Sequence, residues 1–270
     1  MSKTKIVMAL GMLLVLPTPS FAVNFYDGAR AQGLYFLTYS SLYDADKVDD
    51  SRGHTSKKDY GYRKLEELFR LCYYRKDLVL TGLFPVGHVK NRFYHDSSAG
   101  IGDVNLGAGY FLPVKEVDLL PMLFVKFPNG DYNSQRSVNY GTNQYDIKPV
   151  LFIYKAMGRI SFDGAAKYFF RAENPATKVA PGDELHLQGL LGWQFTQKFK
   201  AGPSLSWMKS TSQKNSGVKA DGSKRESLSA GADFYFRFPA FSAAFTYLRD
   251  VRARNTVKGD FFQLKTCYKF

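Results

Sequence analysis

A chain of 270 residues with 16% aromatic side chains and a slightly negative mean hydropathy excludes a bundle of transmembrane helices. Its 37 basic against 24 acidic residues give a formal charge of +13, a balance that often points to nucleic acid. The first residues exclude that partner by sending the chain out of the cell, and they leave anionic lipid headgroups or lipopolysaccharide phosphates as the counter-charges.

Those first residues are Lys3 and Lys5, an apolar run from Ile6 to Leu16, then Pro17, Pro19 and Ser20-Phe21-Ala22. They follow the three-part layout of a secretory signal peptide, with cleavage after Ala22. The run is too short for a spanning helix, which needs about 20 apolar residues. The expected organisation is a leader over 1–22 and a single domain over 23–270.

Alternating apolar and polar residues bounded by turn residues predict twelve strands, at 34–43, 60–73, 78–89, 102–112, 119–127, 144–154, 159–171, 184–195, 199–209, 226–238, 241–250 and 261–270. Connections after the even-numbered strands are short, in the hairpin range. Those after the odd-numbered strands are longer and polar: 44–59, 90–101, 128–143, 172–183, 210–225 and 251–260. Strict alternation of short and long connections is the signature of a transmembrane barrel with short periplasmic turns and long outer loops. A closed barrel is also the one sheet structure that satisfies every backbone polar group in lipid. The fold predicted is all-β: a twelve-stranded antiparallel transmembrane β-barrel after a cleaved signal peptide. One residue resists it, because Glu67 shares a face with Leu65, Phe69 and Leu71, and a lipid-facing charge near mid-bilayer costs about 1–3 kcal/mol. Either a bulge at Glu66-Glu67 turns both inward or Glu67 lies above the apolar band.

Alternation places Glu66, Arg70, Asp103, Lys126, Asp146, Lys148, Asp163, Lys167, His186, Asp233, Arg237 and Lys265 inside, as candidates to line a permeation path, with Glu184 and Asp250 beside them. Interior polarity is usual for such barrels, and most of these are expected to be structural ion pairs. Twelve strands fall between about 8, whose interior fills, and about 16, which leave a wide channel, so a narrow or partly occluded pore follows. Gly100, Gly102, Gly107 and Gly109 fail the G-x-G-x-x-G test at Asn105, and no helix follows. His54, His88, His95 and His186 have no metal-ligand spacing, so neither metal nor cofactor is expected. A lipid hydrolase would need a Ser–His pair at one rim, and Ser206 and His186 both face the lumen, away from lipid substrate. Catalysis is not expected.

Lys209, Lys214, Lys219, Lys224 and Arg225 make the fifth outer loop basic, suited either to solvent or to lipopolysaccharide phosphate. Cys72 and Cys267 fall on the second and last strands with the first strand between them, a separation of about 9–10 Å at ~4.8 Å per strand. That exceeds the reach of a disulfide, about 7 Å, so two free thiols are predicted.

The final strand, FFQLKTCYKF, ends with Tyr268 and Phe270 on its apolar face and resembles the terminal strand of bacterial outer-membrane barrels. In that class the terminal aromatic is the signal read by the barrel insertion machinery. More specifically, the stretches GLYFLTYSSLYDADKVDD, GIGDVNLGAGYFLP, VKFPNGDY, GTNQYDIKPVLFIY, GDELHLQGLLGWQFT and ARNTVKGDFFQLKTCYKF resemble the outer-membrane family named for the MetA pathway of phenol degradation. The resemblance implies an outer-membrane channel for passive uptake of small hydrophobic or aromatic compounds. The partners it implies are outer-membrane lipid and a small-molecule substrate. Departures are the Lys-rich loops and a stretch between Val23 and Gly33 too short to form a plug domain. The alternative is a closed structural or adhesion barrel whose outer loops bind a partner.

Overall fold

The structure is a computed structural model that describes residues 22–57 and 59–270. The leader expected over 1–22 lies outside the described residues except for Ala22.

Twelve strands form one closed antiparallel barrel. They are β1 Gly33–Asp49, β2 Tyr62–Arg75, β3 Leu78–Asn91, β4 in two segments Asp96–Ile101 and Asn105–Tyr110, β5 Asp118–Lys126 and β6 Asp146–Met157. The second half comprises β7 Ile160–Arg171, β8 Glu184–Gln194, β9 Phe199–Ser210, β10 Glu226–Arg237, β11 Phe241–Arg254 and β12 Thr256–Lys269. Each strand pairs with its sequence neighbour, and β12 closes on β1 from Tyr35 opposite Lys269 to Asp49 opposite Thr256. Outward positions carry the apolar residues. Leu106, Leu123, Leu191 and Leu205 are each about half exposed, at 48%, 51%, 51% and 56%. An apolar belt of this extent far exceeds the few hundred Å² that a soluble surface tolerates, and lipid is its natural solvent.

Three predicted outer loops are largely wall. β1 runs on to Asp49, β3 and β4 pair up to Asn91 opposite Asp96, and β11 passes into β12 through Asn255 alone, which adopts a left-handed φ of 49°. Above the bilayer the outer face no longer needs apolar side chains, so pairing continues where the hydrophobic alternation has stopped. Conversely, β4 breaks where a continuous strand is predicted. Val86 faces Ile101 and Leu83 faces Asn105, so β4 holds one extra residue beside Pro85, which has no N–H to give.

The pairing of β2 with β1 and β3 is unbroken through Glu66 and Glu67. The bulge is therefore absent: Glu66 points inward and Glu67 outward between Leu65 and Phe69. Cys72 lies across β1 from Cys267, opposite Tyr35 on one side and Leu37 on the other, and both thiols are free.

Candidate functional site: an occupied lumen

The residues ahead of β1 run up the barrel interior from the periplasmic end. Arg30 marks the entrance: its guanidinium pairs with Asp77 and, at 3.0 Å, with Asp118, donates to the Leu112 carbonyl and stacks over Phe111. Further in, a turn closes through the Asp27 N–H on the Asn24 carbonyl. Tyr26 takes a left-handed φ of 67° there, an uncommon conformation for a bulky residue. Wall side chains hold it in place. Lys265 bonds the Asp27 carboxylate at 2.5 Å and the Phe25 carbonyl at 3.4 Å, while Asp163 accepts the Tyr26 N–H at 2.6 Å. Asn24 donates to Asp233 and to Thr246, and the Lys200 ammonium sits 4.3 Å from the Tyr26 ring centre and 5.0 Å from that of Phe25. Val23, Asn24 and Phe25 are essentially without exposure. Gly192 makes room for Phe25, since a Cβ there would collide with its ring. Burial of Phe25 alone is worth about 1.5–3 kcal/mol. Short as the stretch is, it occupies the middle of the lumen.

Two spaces lie on either side of this segment. A chamber of about 200 Å³ extends toward the outer end, with Ala22 and Asp27 of the segment in its lining. A vestibule of about 280 Å³ on the periplasmic side is lined by Tyr26, Arg30, Tyr74, Arg237 and Cys267. The third outer loop, between β5 and β6, folds inward over the chamber. Its Tyr140 hydroxyl donates to Glu66 at 2.8 Å, and Thr142 bonds Asp103. Tyr140 leans on Gly87 and Gly102, where any Cβ would strike its ring.

All twelve interior residues singled out in the sequence face the lumen, with different sets of contacts. Asp163, Asp233 and Lys265 bind the N-terminal segment. Glu66, Asp103, Lys126 and Asp146 form a network beneath the loop, with Lys126 to Asp146 at 2.8 Å and Lys64 to Glu66 at 2.5 Å. Arg70 bonds Thr81 and Tyr39, Lys148 bonds Asn105, and Lys167 lines the chamber. Arg237 faces the vestibule. His186 is held by Glu184 at 2.9 Å, whereas Ser206 accepts from Gln188, so the two are not aimed at each other. Glu184 also takes Arg171 at 2.7 Å and Arg225 at 2.5 Å. This corrects the placement of Arg225, which is buried and ties the fifth loop to the wall, leaving Lys209, Lys214, Lys219 and Lys224 exposed.

The residues missed from sequence are those of the segment itself, Asn24 to Arg30, and Tyr140 of the loop. Neither stretch has a period to read. One signal was present: two adjacent aromatics, Phe25 and Tyr26, are out of place in a solvated tail.

The fold and its interior define an outer-membrane β-barrel whose lumen is occluded by its own N-terminal segment. The chain belongs to the family described as "Putative MetA-pathway of phenol degradation", which matches residues 45–266. It is similar in structure to an outer membrane channel from Pseudomonas putida F1, with a TM-score of 0.83 at 16% identity, covering 93% of this chain and 100% of that one. It also resembles the NanC porin, with a TM-score of 0.53 at 10% identity over 87% and 100% of the two chains. The translocator domain of the autotransporter NalP from Neisseria meningitidis gives 0.53 at 8% identity over 90% of each. At these identities the likeness is one of fold. No curated protein matches the sequence.

Proposed function

We propose that the protein is a passive outer-membrane channel for small hydrophobic or aromatic compounds, opened when the N-terminal segment leaves the lumen. One observation carries this reading: the segment separates two spaces, and it is held by side-chain contacts and not by continuous strand pairing. A pairing strand would be permanent, whereas discrete contacts can exchange. The family description, which concerns phenol degradation, supports an aromatic substrate class. Twelve inward residues, from Glu66 and Arg70 on β2 to Lys265 on β12, would line the path once it is clear. On this reading the leader over 1–22 is removed on export, Tyr268 and Phe270 are read by the insertion machinery, and Lys209, Lys214, Lys219 and Lys224 meet lipopolysaccharide phosphate.

The occluded lumen equally favours a second reading, a closed structural barrel. Planar-bilayer recording and liposome uptake on a variant lacking residues 24–31 separate the two. Severalfold higher conductance than the intact chain, with uptake of small aromatic solutes, supports the channel. Silence from both proteins leaves the structural barrel.

A further inference from the structure

Within the chamber the charges are unevenly matched. Lys64 is paired with Glu66, Lys126 with Asp146 and Asp103, and Arg171 with Glu184. Lys148 differs: its ammonium donates to the neutral Asn105 carbonyl oxygen at 2.8 Å, lies 5.3 Å from the Phe169 ring centre and joins no ion pair among the described residues. An ammonium held out of bulk water with no carboxylate in direct contact is costly, and the cost falls when an anion comes into contact with it.

Asp146 shares the inner face of β6 with Lys148 on its outer side, and below Lys148 the wall is apolar. Side chains two apart share a face of a strand, so Lys148, Val150 and Phe152 line up inward along β6, from the outer end downward. Phe124 stands directly across from Lys148 on β5. Val150, Phe152 and Phe124 are all buried and all line the chamber. A cation at the top of an apolar groove is the complement of a molecule with a charged head and a hydrocarbon body. In volume, an apolar cavity of about 150 Å³ accepts benzene, and this chamber of about 200 Å³ leaves room for one ring and a small substituent.

We infer that the chamber is a binding site for a small aromatic carboxylate, its carboxylate on Lys148 and its ring against Val150, Phe152 and Phe124. The assignment rests on the channel reading for its biological sense, and it narrows the substrate class from aromatic compounds to aromatic anions.

The test is calorimetric titration of the purified full-length barrel in zwitterionic detergent with sodium benzoate. Benzyl alcohol serves as the neutral ring and inorganic phosphate as the ringless anion. Saturable one-site binding of benzoate is expected, weakened at least tenfold in Lys148→Met and within about threefold of the parent in Lys148→Arg. Val150→Trp, which fills the ring position and keeps the ammonium, is expected to abolish benzoate binding and guards against misfolding of the Lys148 variant; heat-modifiable gel mobility reports that each barrel is folded. Benzoate binding that is absent, unchanged in Lys148→Met and Val150→Trp, or matched by benzyl alcohol or by phosphate overturns the site. The channel reading fails separately: a benzoate isotherm with no solute flux through the segment-deleted barrel keeps the site and loses the channel, and flux of benzyl alcohol without benzoate binding does the reverse.

Discussion

Single residues decide whether the lumen stays filled. Asp27 and Lys265 are both buried, with side-chain exposures of 8% and 9%, and removing one partner leaves the other charge stranded. Loss of one member of such a pair costs about 3–5 kcal/mol, so Asp27→Asn is expected to raise the open fraction in single-channel records by an order of magnitude or more. Gly192→Leu attacks the same docking from the wall, because the added side chain takes the space of the Phe25 ring. Its expected outcome is conductance close to that of the segment-deleted barrel with unchanged gel mobility. Glu184 works at the opposite end, where one carboxylate holds Arg171, His186 and Arg225. Glu184→Ala frees the fifth outer loop, and limited trypsin digestion should then cut after Lys214, Lys219 and Lys224 many times faster.

At the scale of elements, strands and connections obey different rules. Strands that cross lipid announce themselves because alternation is imposed by two solvents, one on each face: β8 alternates Leu185, Leu187 and Leu191 with His186 and Gln188, and it is found within one residue of its predicted end. The upper wall of β1 and the β11–β12 hairpin carry no such constraint, and their pairing was hidden among charged residues. The third outer loop and the N-terminal segment were less legible still, since their partners are fixed by register. Tyr140 finds Glu66 on β2, and Asn24 finds Asp233 on β10, only after the barrel has brought those strands around. The side-chain identities on the inner wall could be read, whereas the things bound to them could not. Tyr140→Phe removes one hydrogen bond to a buried carboxylate and is expected to increase flickering of the outer gate in current records of the segment-deleted barrel, with little change in mean conductance.

At the scale of the whole molecule, closure of β12 on β1 leaves a cylinder with two mouths, and the N-terminal segment enters through one of them. Arg30 sits on the periplasmic turns, at Asp77 and Asp118, and from there the chain reaches upward. Topologically the segment is a ligand that happens to be tethered, held at an effective concentration of about millimolar by the few residues between Arg30 and Gly33. Closure then becomes a binding equilibrium with an address and a side. A free peptide of residues 23–31 should block the segment-deleted barrel reversibly and from the periplasmic face alone, half-maximally well below millimolar concentration, because a segment that stays docked at about millimolar effective concentration must bind more tightly than that. In a bilayer chamber this asymmetry also tells which way round the barrel has inserted.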